Sequence, residues 1–380
     1  MGDVFPYYAG FSFEWACREL ARHSSGSSQR VLDPWNGSGT TTLAASILGL
    51  PSLGVDRNPV ANIVARLRHE AGRAVRTVEP PHRARRVTSD DDPLLAWFGR
   101  KTVARLRDWM EMVTALPEPQ SVLPQVALFR VVRSLTSHFG GSNPTWVRRT
   151  SSNRPPVELQ RKELDELLLD EQSYLSQRLI AESAPATHSL LLTASSRHLP
   201  LRDESVQLIL TSPPYLTRID YAVAYARELA LLGEDVYTSR HIRSQLMGTT
   251  LIRGDVAEMQ LGNLASDLVR RIGEHGSYAS EGYYLKQACQ YLDDLTASLR
   301  EITRVAAPKA VMTLVVQDSF YKDIAVRLGE ICAEEAERLG WKVSNIVPFE
   351  VTRSLTTLNK SARAYPKGTV NENVLTLVKH

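Results

Sequence analysis

The sequence predicts a doubly wound α/β fold, with a mostly parallel sheet of seven strands that ends in an antiparallel hairpin. Short apolar stretches alternate with helical patterns over residues 30–70 and again over residues 188–380. That alternation is typical of parallel strands with helices on both faces of the sheet. It stops over residues 71–187, which we predict to be a largely helical insertion. No helical pattern separates the last two strands, so these are predicted to pair as a hairpin.

The predicted elements follow in order along the chain. A helix runs through residues 14–20. A strand at residues 30–33 leads through a two-glycine turn into a helix from about Thr40 to Leu48, which Gly49 ends. The second strand covers residues 52–55. Five more strands are predicted at residues 189–194, 206–210, 310–317, 342–347 and 374–378, with helices at residues 94–114, 122–139, 159–182, 284–305 and 324–339.

A glycine-rich turn and two strand-end acids, Asp33 and Asp56, indicate a nucleoside cofactor site. Gly37 and Gly39 follow the first strand and let a ligand approach the backbone closely. Asp56 ends the second strand, where an acid commonly binds two ribose hydroxyls. A triphosphate loop is not indicated, because no Gly-Lys-Ser/Thr follows the turn. A NAD site is disfavoured because Thr42 stands where its third glycine would be.

The stretch from Thr211 to Tyr215 reads Thr-Ser-Pro-Pro-Tyr and follows a short buried strand. Prolines fix φ and carry no N–H, so the chain leaves the sheet rigidly with free carbonyl oxygens. The Ser212 hydroxyl and the Pro213 carbonyl can accept hydrogen bonds from an exocyclic amine, and the Tyr215 ring can stack on the flat ring that carries it. The switch-point rule predicts that this corner and the glycine turn meet at the carboxyl ends of the first and fourth strands.

These segments resemble the amino-methylating DNA methyltransferases, which use S-adenosylmethionine. The resemblance covers residues 5–70 and 188–380. It is carried by segments similar to motif X (residues 6–12), motif I (33–41), the acidic end of motif II (56–59), motif IV in the Ser-Pro-Pro-Tyr form most often seen in cytosine-N4 enzymes (211–215), and the stretch after motif IV in one branch of the family (216–221).

The resemblance implies a Rossmann-like methyltransferase sheet, S-adenosylmethionine as cofactor and a target base flipped out of double-stranded DNA. The catalytic residues would be Ser212, Pro213, Pro214 and Tyr215. The cofactor would be bound by Tyr8, Phe11, Asp33, Pro34, Gly37, Ser38, Gly39, Thr40, Thr41, Asp56, Asn58, Ser195 and Thr211. Substrate contacts are predicted at Asp220, Tyr221, Trp146, Arg148 and Arg149. No metal is predicted.

The chain departs from the family pattern at two places. Trp35 replaces the usual Phe, and the third strand ends in serines where motif III should carry an acid, which leaves Ser195 as the candidate adenine contact. Alternatives also remain for the substrate residues. Asp220 is equally suited to cap the following helix. The loop that contains Trp146 is equally suited to pack on the insertion.

The domain prediction follows from the motifs. Residues 1–70 and 188–380 would form the catalytic domain that binds S-adenosylmethionine. Residues 71–187 would form the insertion that recognises the target, and residues 216–280 a second segment that contacts DNA. Arginines recur between residues 66 and 107, which favours nucleic-acid contact by this region.

Cytosine N4 is favoured as the target because the resemblance associates serine at position 212 with cytosine enzymes. Adenine N6 stays open, since both bases offer an exocyclic amine on a flat ring. Carbon-5 methylation is disfavoured, because no cysteine stands in a Pro-Cys strand-end motif. Three other functions compete: an RNA amine methyltransferase, a nucleic-acid-binding relic of the fold and a small-molecule methyltransferase. The lack of an RNA-binding appendage argues against the first. The intact motifs argue against the second, and the arginine-rich insertion argues against the third.

Composition excludes several other classes of protein. The 380 residues are 43% hydrophobic and 23% charged with a net charge of +3, which is ordinary for a soluble globular protein. No apolar run is long enough to span a membrane and no secretion signal is visible. The three scattered cysteines predict neither disulfides nor a zinc site. We expect a cytoplasmic bacterial or archaeal enzyme, with a cognate restriction endonuclease as a further candidate partner.

Overall fold

The structure of the protein is a computed structural model that describes residues 4–5, 11–82, 88–141, 147–216, 220–254, 260–278, 280–350 and 371–380. Two predicted site residues, Tyr8 and Trp146, lie outside these described residues.

Seven strands form the central sheet and two more form a separate hairpin. The strands are β1 (Val31–Asp33), β2 (Ser52–Asp56), β3 (Ser189–Thr193), β4 (Val206–Thr211), β5 (Ala306–Gln317), β6 (Ser319–Tyr321), β7 (Ile324–Val326), β8 (Trp341–Glu350) and β9 (Asn371–Lys379). The sheet order is β3-β2-β1-β4-β5-β9-β8. The first five strands in this order pair in parallel, while β9 runs antiparallel to both β5 and β8. The predicted fold class is therefore confirmed.

Helices pack on both faces of this sheet. They are α1 (Phe13–His23), α2 (Thr40–Ile47), α3 (Pro59–His69), α4 (Arg100–Thr114), α5 (Val122–Leu135), α6 (Arg161–Ile180), α7 (Tyr221–Ala224), α8 (Ala226–Leu231), α9 (His241–Gln245), α10 (Asn263–Glu274), α11 (Leu285–Val305) and α12 (Leu328–Arg338). Short 3₁₀ segments lie at Pro93–Ala96 and Ser137–Phe139, and a π-helical turn at Ser280–Tyr284 precedes α11.

Two sequence predictions of helices need correction. The helix predicted over residues 324–339 begins only at Leu328, because Ile324–Val326 pairs with Ser319–Tyr321 as a small hairpin. The helix predicted over residues 94–114 is divided at Gly99, where a Cβ atom would lie 1.5 Å from Glu158 Oε2. A side chain at position 99 would therefore displace the segment that packs there.

The helices between β2 and β3 share their hydrophobic core with the segment after β4. Buried residues of α4, α5 and α6 form one cluster with those of α7 and α8. Arg107 of α4 strengthens this contact, since its Nη1 donates to the Leu231 carbonyl at 2.7 Å. Arg133 of α5 pairs with the fully buried Glu228, with 2.5 Å between Nε and Oε1. The helices that follow β2 and those that follow β4 thus pack as one unit.

One face of the sheet is covered by a second apolar cluster, which includes residues of α10, α11 and α12. The opposite face is covered by a third cluster, which includes residues of α1 and α2. None of the helices in the described ranges combines the length and apolarity needed to cross a bilayer. Within the same ranges, no group of three His, Cys, Asp or Glu side chains is arranged to hold a metal ion.

Candidate active site

The carboxyl ends of β1 and β4 meet at one crevice. Thr211 Oγ1 donates to Asp33 Oδ1 at 2.5 Å, which joins the last residues of the two strands. The crevice holds about 980 Å³ of space including its open mouth. The glycine turn (residues 34–39) and the Ser-Pro-Pro-Tyr corner (residues 212–215) both contribute to its lining.

Most of the predicted site residues line this crevice. They are Phe11, Asp33, Pro34, Gly37, Ser38, Thr40, Asp56, Asn58, Ser195, Ser212, Pro213, Pro214 and Tyr221. Gly39, Thr41 and Thr211 are buried next to the crevice without lining it. Thr41 supports the floor from below, since its Oγ1 donates to the Leu210 carbonyl of β4 at 3.0 Å.

Left-handed backbone at Gly37 and Gly39 shapes the glycine turn. Their φ angles are +50° and +82°, a region that glycine adopts without strain. Gly39 is also the N-cap of α2, and a Cβ atom there would lie 2.8 Å from Ala65 Cβ of α3. The close contact between the turn and α3 therefore requires glycine at position 39.

Asp56 connects the glycine turn to the end of β2. Its Oδ2 accepts from the Gly37 backbone N–H and its Oδ1 from the Asn58 backbone N–H, each at 2.8 Å. A carboxylate oxygen has a second lone pair, so both oxygens can still accept from a ligand. Asp56 can thus hold the turn in place and bind hydroxyl donors in the crevice.

Burial raises the pKa of both strand-end acids. The pKa of Asp56 rises to about 6, although its two backbone hydrogen bonds oppose the shift. Burial also raises the pKa of Asp33 to about 6, against hydrogen bonds from Thr211, Thr41 and the Trp35 backbone. The acids at the ends of β1 and β2 therefore titrate close to neutrality.

Three buried donors beside the crevice have no acceptor among the described residues. They are the Trp35 indole Nε1, the Asn36 Nδ2 and the Asn58 Nδ2. A buried donor without an acceptor costs about 1–3 kcal/mol. All three residues line the crevice, so a ligand rich in acceptor atoms, such as a carboxylate, a ribose and a purine ring together, fits this donor set.

Arg68 of α3 supports the glycine turn from within the protein. It is 5% exposed, and its Nη1 donates to the Ser38 carbonyl at 2.9 Å and to Thr40 Oγ1 at 3.1 Å. Other arginines of the series predicted to contact nucleic acid form ion pairs: Arg66 with Glu118, Arg73 with Glu70, Arg100 with Asp90, Arg105 with Asp165, and Arg107 with Asp92. Much of this arginine content is therefore explained by contacts inside the protein.

The Ser-Pro-Pro-Tyr corner is held from two directions. The Tyr215 side chain hydrogen-bonds to Ser212, and burial raises the Tyr215 pKa to about 12. Tyr291 of α11 donates its hydroxyl to the Pro214 carbonyl at 2.8 Å. Tyr215 itself does not line the crevice, whereas Tyr221 does.

One wall of the crevice comes from a segment that carried no motif, residues 243–250, which we call the crevice wall. Its Gln245, Leu246 and Met247 line the cavity. Arg57 Nε, next to Asp56, donates to Gln245 Oε1 at 2.8 Å. Gly248 has φ +75°, and a Cβ atom there would lie 3.2 Å from the Tyr215 carbonyl oxygen. The wall therefore touches both the cofactor side and the corner.

Asp220 organises the crevice wall and does not line the crevice. It is 2% exposed, and its Oδ1 caps α7 by accepting from the Val223 N–H at 3.2 Å. Its Oδ2 accepts from Arg243 Nη2 and from Thr250 Oγ1, each at 2.9 Å. The N-cap alternative for Asp220 thus matches the observed geometry.

Arg148 and Arg149 also lie away from the crevice lining. The Arg149 guanidinium carbon is 3.9 Å from the centre of the Tyr237 ring. The Arg148 carbonyl accepts from Trp97 Nε1 at 2.8 Å, and its side chain is exposed.

The loop after β3 forms the remaining edge. Ser195 lines the crevice and its Oγ accepts from the Arg197 N–H at 3.3 Å. The Arg197 side chain also lines it and is held by Asp294 of α11, with 2.9 Å between Nη1 and Oδ1. Asp294 is 1% exposed and its other oxygen accepts from Arg253 Nη2 at 2.6 Å. A buried acid therefore fixes Arg197 at the position where motif III would be.

Nine lining residues were not predicted as site residues, and Trp35 among them had been noted only as a departure from the family pattern. They are Trp35, Asn36, Arg57, Ala194, Ser196, Arg197, Gln245, Leu246 and Met247. Adjacency in sequence to predicted residues was an available signal for those up to Arg197. The crevice wall falls within residues 216–280, the second segment predicted to contact DNA, but no motif marked its lining residues.

Comparison with known proteins gave distant relatives. No protein family model matches the chain. It is 22% identical to the type II methyltransferase M.BsoBI of Geobacillus stearothermophilus, over 88% of this chain and 77% of that protein. It is also 22% identical to the type II methyltransferase M.AvaI of Nostoc, over 90% of this chain and 79% of that protein. A solved S-adenosylmethionine-dependent methyltransferase from Methanosarcina mazei matches with a TM-score of 0.35 and 8% identity, over 95% and 96% of the two chains, a similarity too loose to carry an argument.

These relatives agree with the motifs and with the crevice. The sheet is mostly parallel with seven strands as predicted, the two motif-bearing strands end at one cavity, and the alignment with type II methyltransferases spans most of the chain. The donors and the acid at the glycine turn fit S-adenosylmethionine, which is the cofactor. The motifs, the fold and the alignment with type II methyltransferases together support an S-adenosylmethionine-dependent DNA methyltransferase.

Proposed function

We propose that this protein methylates the N4 amine of a cytosine flipped out of double-stranded DNA. One observation supports this proposal more strongly than the others do. The hydrogen bond between Thr211 and Asp33 brings the Ser-Pro-Pro-Tyr corner and the glycine turn to the same crevice. An amine held by the corner would then lie near a cofactor held by the turn.

The cofactor would occupy the side of the crevice between the glycine turn and the end of β2. Asp56 would accept from the ribose hydroxyls, and Asn58 Nδ2 and Trp35 Nε1 would donate to acceptor atoms of the cofactor. Phe11 lines the crevice and would wall the methionine end. The loop with Ser195 and Arg197 would meet the adenine ring. When bound, S-adenosylmethionine supplies an electrophilic methyl group on its sulfonium.

The corner would prepare the target amine for attack. The Ser212 hydroxyl and the Pro213 carbonyl accept from the exocyclic amine, which draws the nitrogen lone pair out of conjugation with the ring. The nitrogen would attack the sulfonium methyl carbon in line, so that the N–C bond forms as the C–S bond breaks. S-adenosylhomocysteine would leave and the methylated amine would release one proton. Positioning and amine polarisation would supply the catalysis. Tyr215, which lies beside Ser212 behind the lining, would turn toward the crevice to stack on the flipped base, whereas Tyr221 already lines it.

Target recognition is assigned to the helical unit outside the sheet. We propose that residues 1–70 and 188–380 form the catalytic domain and that residues 71–187 read the DNA together with residues 216–280. Support comes from the core that α4, α5 and α6 share with α7 and α8, because the two segments then move as one unit. Trp146, Arg148 and Arg149 belong to this unit as candidate DNA contacts. The type II relatives make a cognate endonuclease a candidate partner in a bacterial cytoplasm.

Methyl transfer to defined nucleic acids tests the proposal. The protein is incubated with labelled S-adenosylmethionine and with duplex DNA or total RNA, and the products are digested to nucleosides and identified by mass spectrometry. We expect N4-methylcytosine from DNA. N6-methyladenine instead would overturn the base assignment and favour the adenine alternative. Label in RNA alone would overturn the DNA substrate, and Ser212→Ala serves as the negative control.

A further inference from the structure

Tyr291 reaches the Ser-Pro-Pro-Tyr corner from a helix that belongs to none of the motifs. It lies on the second turn of α11 and is 2% exposed within the cluster that covers one face of the sheet. Its hydroxyl donates to the Pro214 carbonyl at 2.8 Å. Most of the side chain thus packs as an apolar core residue, while its one polar atom contacts the corner.

The hydroxyl of Tyr291 stays a donor at every working pH. Burial raises its pKa well above the ordinary value for tyrosine, and the nearby phenols of Tyr221 and Tyr215 add to the shift. Tyr215, Tyr221 and Tyr291 therefore lie near one another at the corner. The neutral phenol can donate one hydrogen bond, and in the described structure its acceptor is the Pro214 carbonyl.

The Pro214 carbonyl belongs to the peptide plane that connects Pro214 to Tyr215. The preceding peptide carries the Pro213 carbonyl, which the proposed mechanism needs as an acceptor for the amine. Proline fixes φ on both residues, and ψ at Pro213 is restricted because another proline follows it, so the main remaining freedom of the corner is ψ at Pro214. A hydrogen bond to the Pro214 carbonyl sets that ψ angle and so directs the Tyr215 ring, whose hydroxyl bonds to Ser212.

We propose that Tyr291 is a positioning residue for methyl transfer, which fixes the Ser-Pro-Pro-Tyr corner through the Pro214 carbonyl. This inference rests on the proposed function of that corner. Tyr291 touches neither cofactor nor target in this scheme. It holds Ser212, the Pro213 carbonyl and Tyr215 in the arrangement that receives the base.

The test compares two tyrosine-to-phenylalanine variants. Tyr291→Phe removes only the hydroxyl that reaches the corner. Tyr321→Phe is the matched control, because Tyr321 is also buried, at 6% exposure, and its hydroxyl bonds to Ser280 and Ser277 away from the crevice lining. The melting temperature, the Kd for S-adenosylmethionine and the single-turnover rate of methyl transfer to DNA are measured for both.

We expect Tyr291→Phe to lower the single-turnover rate by about 10- to 100-fold, as small misplacements of reacting groups do. Its Kd for S-adenosylmethionine should match that of the wild type, and its melting temperature that of Tyr321→Phe. Tyr321→Phe should keep the wild-type rate. A wild-type rate in Tyr291→Phe would overturn the inference, and so would a rate loss that only accompanies equal losses of stability and cofactor binding.

A crystal structure of Tyr291→Phe separates this inference from the proposed function. We expect the Pro214 carbonyl and the Tyr215 ring to be displaced relative to the wild type, whichever substrate the enzyme uses. An unmoved corner would overturn the positioning role even if DNA is methylated as proposed. If the wild type transfers no methyl group to DNA while the corner moves in the variant, the proposed function fails and the positioning of the corner stands.

Discussion

The two sides of the crevice are built in different ways. On the cofactor side, the stabilising contacts join residues close in sequence. Asp56 binds the Gly37 N–H 19 residues away, and Arg68 binds Ser38 30 residues away. On the target side, Tyr291 binds Pro214 across 77 residues. Arg57, next to Asp56, binds Gln245 across 188 residues and joins the two sides. The glycine turn and the ends of β1 and β2 thus form one local β-α-β-α unit, whereas the corner and the crevice wall are assembled from distant segments.

This difference predicts different effects for mutations on the two sides of the crevice. Loss of a contact in the local unit should weaken cofactor binding directly, because the same residues form the turn and meet the ligand. Loss of a distant support should leave the cofactor bound and disturb the geometry of transfer. The predictions below test this division, from the largest expected effect to the smallest.

Tyr215→Ala should reduce turnover by about 1,000-fold, since the variant loses base stacking worth about 1–3 kcal/mol and the alignment of the corner. S-adenosylmethionine affinity should stay near the wild-type value, because Tyr215 does not line the crevice. Steady-state kinetics on the cognate DNA and calorimetry with the cofactor measure the two effects. Tyr215→Phe is the control and should retain most of the activity, because it keeps the ring. A parallel loss of cofactor binding in Tyr215→Ala would contradict the division.

Asp56→Ala should weaken S-adenosylmethionine binding by about 100-fold, because buried donors left without an acceptor cost about 1–3 kcal/mol each. The Gly37 and Asn58 backbone N–H groups lose the carboxylate that accepts from them, and the ribose hydroxyls lose the same acceptor. Calorimetry measures the Kd, and saturating cofactor should recover most of the turnover. A variant with wild-type Kd would show that the ribose lies elsewhere.

The same difference explains how far the sequence could predict the site. Gly37, Gly39 and Asp56 are recognisable because local geometry fixes them: left-handed turns require glycine, and a strand-end acid meets the turn beside it. The seven strands were predictable because each has its own apolar pattern. The crevice wall was not, since its place depends on Asp220 binding Arg243 and Thr250, a contact that no local pattern encodes. The Ile324–Val326 strand was missed for a similar reason, because its apolar residues also fit a helix.

Acidification should weaken cofactor binding before it unfolds the protein. Asp56 has a pKa of about 6, so at pH 5 most of it is protonated and unable to accept from both ribose hydroxyls. One pH unit below the pKa, the ionised fraction and hence the affinity fall about 10-fold. The raised pKa acts on stability in the opposite direction. Its contribution to folding is full below the unfolded pKa of about 4 and is lost as pH rises through about 6.

Calorimetry between pH 5 and pH 7.5 separates this titration from that of Asp33, which also has a pKa of about 6. Asp56→Asn should bind S-adenosylmethionine weakly with little dependence on pH. Asp33→Asn should keep the wild-type slope, because Asp33 accepts from Thr211 and Trp35 and is not assigned to the ribose. A flat profile in Asp33→Asn and a steep one in Asp56→Asn would reverse the assignment.

Trp35→Phe should produce the smallest change, a loss of S-adenosylmethionine affinity of about fivefold, as expected for one neutral hydrogen bond of about 1 kcal/mol. The substitution restores the residue common in related motifs and keeps an aromatic ring on the glycine turn. It removes an indole N–H that has no acceptor among the described residues. Folding without cofactor should therefore become no less stable, while binding becomes weaker. Thermal melts with and without cofactor measure both. An unchanged affinity would mean that the cofactor does not reach Nε1, and that the cofactor side relies on Asp56 and the turn backbone alone.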